Sequence, residues 1–119
     1  MTIEFFNFLR NTIRRNNVSA EHSETSSEYS IETDSGDCLV FECRYGHDDK
    51  NRPAEYCGVY YNGTLVEESF FLESEKHHSN QTRHLIELIE CCRAKALTQE
   101  IKSRKTDIQQ KTTSAKVRK

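Results

Sequence analysis

Tryptophan is absent from this 119-residue chain, proline and methionine occur once each, and glycine only four times. No apolar run approaches the roughly 18 residues that a membrane-spanning helix needs, so no membrane partner is expected. Met1–Asn17 lacks the basic start, unbroken apolar centre and small-residue cleavage site of a secretory signal, and the expected compartment is therefore the cytoplasm. Also missing are a glycine-rich phosphate loop, a Gly-x-Ser-x-Gly elbow, a His-Glu-x-x-His pair and a Cys-x2-Cys knuckle. Without them the commonest sequence routes to nucleotide, hydrolase and zinc chemistry are closed, and the chain is not expected to be an enzyme.

The five cysteines are an odd number, and Cys91 and Cys92 are adjacent. That is no disulfide framework, and reduced, mostly buried thiols are the expectation. The triplets beginning at Asn17, Asn62 and Asn80 match the glycosylation acceptor pattern but have no chemistry to perform without a secretory route.

What the chain does have is sorted charge. Residues 1–20 hold three Arg and one Glu, residues 21–76 hold fourteen acids against four bases, and residues 77–119 hold ten bases against four acids. The formal net charge of −2 conceals this segregation. Local potentials of that kind steer partners or hold segments together, but they name no reaction. The hydrophobic fraction of 34% is low, yet eleven aromatics and the Ile, Leu and Val runs cluster in segments, which implies one small ordered core.

Thr2 can cap a helix over about residues 3–16, in which Phe5, Phe6, Leu9 and Ile13 recur at spacings of three and four. The Ser-, Glu- and Thr-rich stretch from Val18 to Ser27 has no period and reads as loop. From Glu28 the period becomes two: Tyr29 and Ile31 alternate with polar residues, Asp34-Ser35-Gly36-Asp37 turns the chain, and Leu39, Phe41, Cys43 and Tyr45 share one face of a second strand. After the polar connection 46–53, Tyr60-Tyr61-Asn62-Gly63-Thr64-Leu65 carries the Asn-Gly signature of a two-residue type I′ hairpin, pairing strands 55–61 and 64–72. That register sets Tyr60 opposite Leu65 and Val59 opposite Val66, so that Val59, Val66 and Phe70 share a buried side. Phe70-Phe71 breaks the alternation, which calls for a bulge there or cover on both sides of the sheet end. Leu85, Leu88, Ile89, Cys92 and Ala96 form the stripe of a helix over about 81–105, followed by a basic tail, 106–119, expected to be frayed or disordered.

The order α-β-β-β-β-α predicts an α+β fold. It would be a two-layer sandwich within a single domain, 1–105, in which a four-stranded antiparallel meander has both helices packed on one face. This order differs from that of the double-stranded RNA-binding domain in strand number, and the basic motif that opens that family's last helix is missing.

Cys38, Cys43, His47 and Cys57, with His77 or His78, are the one grouping that resembles metal ligands. Cys38 and Cys43 differ by an odd number of residues and so point to opposite faces of a regular strand. Ordinary core cysteines are the alternative, and no metal or cofactor is expected. The acids Asp48 and Asp49 lack the ligand spacing of a calcium loop.

Two classes of partner fit the charge pattern. In the first, an acidic sheet surface presenting Glu28, Glu32, Glu42 and Glu67, with Asp48 and Asp49 and with Tyr60 as an anchor, occludes a basic macromolecule. Small immunity proteins and phage-encoded inhibitors act in this way, and the analogy is one of size and charge. In the second, Arg93, Lys95, Lys102, Arg104 and Lys105 meet nucleic-acid phosphates; the alternative is a solvated helix end. A homodimer, with the basic helix of one subunit on the acidic sheet of the other, is a further possibility. The expectation adopted is a non-catalytic protein-binding protein of the inhibitor or immunity type.

Overall fold

A computed structural model describes the backbone of residues 1–117 and the side chains of residues 1–104. Helix α1 (Ile3–Arg15) starts where Thr2 accepts the Phe5 amide at 3.1 Å, and its last turn carries Arg14 and Arg15, which complement the helix dipole. Five strands follow: β1 (Ser19–His22), β2 (Ser26–Glu32), β3 (Cys38–His47), β4 (Pro53–Tyr61) and β5 (Thr64–Leu72), and the chain then enters α2 (Asn80–Val117). The strands form one antiparallel sheet in the order β1-β2-β3-β4-β5. This is the expected α+β two-layer meander with one strand more than expected. Helix α2 runs past its expected end near residue 105 to Val117, and the side chains of the basic stretch from 106 lie outside the described residues.

The additional strand, β1, occupies sequence expected to be loop. All four of its residues are exposed, so it carries no apolar alternation. Backbone pairing with β2 holds it, and Ser23 closes the turn: its hydroxyl accepts the Thr25 and Ser26 amides while its own amide donates to the Ser26 carbonyl at 2.8 Å. Just before β1, the Gln99 side chain accepts the Val18 amide and donates to the Val18 carbonyl, both at 2.8 Å, as a neighbouring strand would.

The core lies between the sheet and the helices. From the sheet come Tyr29, Ile31, Leu39, Phe41, Cys43, Cys57, Val59 and Phe71, and from the helices Phe6, Leu9, Ile13, Leu85, Leu88, Ile89 and Cys92, all buried. The helices meet where Phe6 stacks on His84, with centroids 4.6 Å apart, and where the Lys95 ammonium donates to the Arg14 carbonyl at 2.7 Å. That second contact satisfies one of the carbonyls orphaned at the end of α1.

At the β4–β5 turn, Asn62 and Gly63 have φ of 49° and 84°, the positive pair that a type I′ turn demands. Tyr61 faces Thr64 and Tyr60 faces Leu65, but Val59 then faces Glu67, which makes Val66 an inserted residue. This bulge corrects the expected register. Val66 and Phe70, expected inside, are 39% and 74% exposed, whereas Phe71 is 8% exposed and joins the core. One extra residue reverses the facing of everything after it, and so Glu67, Ser69 and Phe71 turn toward the helices while Glu68, Phe70 and Leu72 turn away. The inward positions find partners: the Glu67 carboxylate lies 3.6 Å from the Met1 ammonium, and the Ser69 hydroxyl lies 2.6 Å from that of Thr82.

Candidate interaction surface

Among the described residues no element covers the face of the sheet away from the helices, and the register fixes what stands on it. One row across the strands reads Glu21, Glu28, Glu42, Gly58, Glu68. Glu32 occupies the end of the same face, and Arg44, in the adjoining row, is the one basic side chain among its strand residues. Like charges directly opposite one another across strands repel. Glu42 is relieved by Arg44, whose Nε lies 2.5 Å away, and Glu68 accepts the Tyr56 hydroxyl at 3.0 Å. Among the described residues no ion pair or hydrogen bond reaches the side chain of Glu21 or Glu28.

Beside this row lies an aromatic cluster. The Arg44 guanidinium sits over the Tyr56 ring at 4.6 Å, and Tyr56 packs against Phe70 with centroids 4.7 Å apart. Tyr56 lies along its own strand across Gly58, where an added Cβ would come within 2.7 Å of the phenol oxygen. Glycine at 58 is what lets the hydroxyl reach Glu68. Burial, and then its contacts with Tyr60 and Glu68, push the Tyr56 phenol well above its ordinary pKa. At the far end a groove of about 640 Å³ runs past Arg44, Gly46, Ala54, Tyr56, Phe70 and Leu72.

Of the acids singled out from the sequence, Glu28, Glu32 and Glu42 stand on this face together with Tyr60. Glu67 does not, because the bulge turns it inward, and Glu68 takes the place assigned to it. Asp48 lies in the β3–β4 turn, where its carboxylate accepts the Lys50 and Arg52 amides at 3.0 and 2.8 Å and pairs with the Arg52 guanidinium at 2.7 Å. These contacts, the Arg52 backbone amide foremost, hold its pKa below the usual carboxylate range. Its charge shapes the turn and adds nothing to the face. Asp49 is exposed in the same turn. Glu21, Tyr56 and Phe70 belong to the surface but were not singled out from the sequence: β1 carries no apolar signal, and the outward turn of Phe70 depends on the bulge.

The basic candidates are largely engaged within the molecule. Arg93 donates to the hydroxyls of Tyr29 at 3.3 Å and Tyr45 at 3.5 Å, Lys95 caps α1, and Arg104 pairs with Glu100 one turn away. Lys102 is exposed on α2, and the Lys105 side chain lies outside the described residues.

The cysteines expected as an alternative ligand set separate. Cys38 is exposed at one end of β3 and His47 at the other. Cys43 and Cys57 face each other across β3 and β4 with their sulfurs 3.7 Å apart, and the Cys43 thiol donates to Glu55 at 3.1 Å. Contact with Cys43 and burial together hold the proton on Cys57 and raise its pKa. Among the described residues these three form the one group of potential metal donors, with all ligand atoms within 4.8 Å of one another.

Comparison with protein-family models, with curated proteins and with solved structures finds no match to this chain. None of the described helices is long and apolar enough to cross a membrane.

Proposed function

We propose that this is a small non-catalytic interaction protein, of the inhibitor or immunity type, whose open sheet face docks on a basic surface of another protein. The observation that carries the proposal is the cross-strand glutamate row. Placing Glu21, Glu28 and Glu42 side by side costs the free protein stability, and a cationic partner converts that cost into attraction. Phe70, 74% exposed, and the half-buried Tyr60 beside the row supply apolar area for a docked surface, with Tyr56 buried behind Phe70. The internal engagement of Arg93, Lys95 and Arg104 favours the acidic face over the basic helix as the contact surface.

The test is parallel affinity capture from a producing cell with the native chain and with the double variant Glu28→Gln, Glu42→Gln, at low and raised salt. A basic protein should be retained by the native chain in fixed stoichiometry, released as salt rises and missed by the variant. Equal recovery of the same proteins by both chains would refute the assignment. Retention of nucleic acid that persists in the variant would transfer the function to the basic helix.

A further inference from the structure

We propose that Cys43, Cys57 and Glu55 form a binding site for a thiophilic divalent cation, with Zn²⁺ as the expected ion. The three donors come from adjacent strands whose register is fixed: Cys43 lies directly opposite Cys57, and Glu55 is two residues before Cys57 and therefore on the same side of β4. Both thiols are buried, at 1% exposure each. Their sulfurs stand 3.7 Å apart. A tetrahedral ion with metal–sulfur bonds of about 2.3 Å separates two thiolates by roughly 3.8 Å, so the spacing suits coordination without movement of the strands. A carboxylate oxygen already sits 3.1 Å from the Cys43 sulfur, where a third ligand belongs.

The surroundings fit the charge that results. Two thiolates and a carboxylate around a divalent ion leave one net negative charge, and the Arg93 guanidinium borders the same cavity of about 280 Å³. The hydroxyls of Tyr29 and Tyr45 hold that guanidinium in place. Glu90, on α2, lines the cavity too but is not among the donors within 4.8 Å of one another, so a water completes the four ligands. Two sulfur donors select zinc and its softer relatives over magnesium or calcium. Binding displaces the protons of both thiols, while Glu55 enters as the carboxylate. The ion would tie β3 to β4 beneath α2, and the site stands independently of the docking face on the other side of the sheet.

Cobalt is the probe. Reduced, metal-free, full-length protein titrated with Co²⁺ should saturate at one equivalent and show both a thiolate charge-transfer band and the intense visible bands of tetrahedral cobalt, which Zn²⁺ then abolishes. Cys57→Ser should remove most of the charge-transfer band, Glu55→Gln should weaken binding by about tenfold or more, and Cys38→Ser, at the distant end of β3, should leave the titration unchanged. Should Cys57→Ser fail to fold by circular dichroism, the half-buried Glu55→Gln change carries the test, read also as a melting temperature that Zn²⁺ raises in the native chain more than in the variant. The proposal is overturned if Co²⁺ does not saturate, gives only weak six-coordinate bands without a sulfur transition, or binds the Glu55→Gln variant as tightly as the native chain.

Discussion

Replacing Glu28 by Gln should make the protein more stable and its partner binding weaker at the same time. Glu28 stands between Glu21 and Glu42 in one cross-strand row, and Gln keeps its size and hydrogen-bonding reach while removing the charge. Carboxylates on directly paired residues lie roughly 5–6 Å apart, where one pair in water-like surroundings repels by about 0.7 kcal/mol. Two neighbours double this, but the pairing of Glu42 with Arg44 and ordinary screening reduce it, leaving a gain of ~0.5–1 kcal/mol at low salt. For a domain of this size that raises the melting temperature by roughly 2–6 °C. At about 1 M salt, where the screening length falls to ~3 Å, most of the difference should vanish. Thermal unfolding followed by circular dichroism at both salt concentrations reads the effect. An unchanged or lowered melting temperature, or a gain that persists undiminished in high salt, would refute the idea that the row is electrostatically frustrated.

Further consequences can be measured separately. Gly58→Ala should tilt Tyr56 off its strand, break its hydrogen bond to Glu68 and cost about 1–2 kcal/mol in urea unfolding, against the small gain that alanine normally brings to a strand interior. Phe41→Ala, at a fully buried position in the central strand, should cost about 3–5 kcal/mol and lower the urea midpoint accordingly. Hydrogen bonds, that from Asn62 first, hold the Asp37 carboxyl below its ordinary 3.8. A depressed carboxylate adds stability that is fully present above its unfolded value and is lost as pH falls through 3.8 and below. Asp37→Asn should therefore flatten the acid limb of the stability–pH curve while leaving its shape above pH 5 unchanged, a condition chosen to lie about one unit above that range.

Most of the architecture was legible because the local signals were strong. Asn62-Gly63 fixed the hairpin, the Thr2 cap and the Phe6, Leu9, Ile13 stripe fixed α1, and the alternation of Leu39, Phe41 and Cys43 fixed the facing of the central strand. Two elements were not legible, for different reasons. Ser19–His22 buries none of its residues, so hydrophobic patterning is blind to it and only its pairing with β2 makes it a strand. The insertion at Val66 falls within the first of two doublets, Leu65-Val66 and Phe70-Phe71, each with an apolar residue for either face, so composition cannot choose the register. What decides it is tertiary: Phe71 completes the core, Ser69 meets Thr82 and Glu67 reaches the Met1 ammonium. The same insertion explains why the acidic face was identified with one glutamate misassigned. Glu55 shares a side of β4 with Cys57 by its two-residue spacing, but it was overlooked as a partner of the cysteines because its approach to Cys43 follows only from the pairing of β3 with β4.

The Val66 bulge also bears on the border of the sheet. As the last member of the sheet, β5 has, among the described residues, a neighbouring strand on only one side of its nine-residue backbone. A straight, flat border of that length is a template on which a second chain can add, and doubled residues that twist the border, together with charges beside them, spoil the fit. Here the doubling falls immediately before Glu67 and Glu68, and the Gln81 side chain donates to the Glu68 carbonyl at 2.8 Å. The irregularity that sorts the side chains between the two faces thus also leaves that border a less regular template for an added strand.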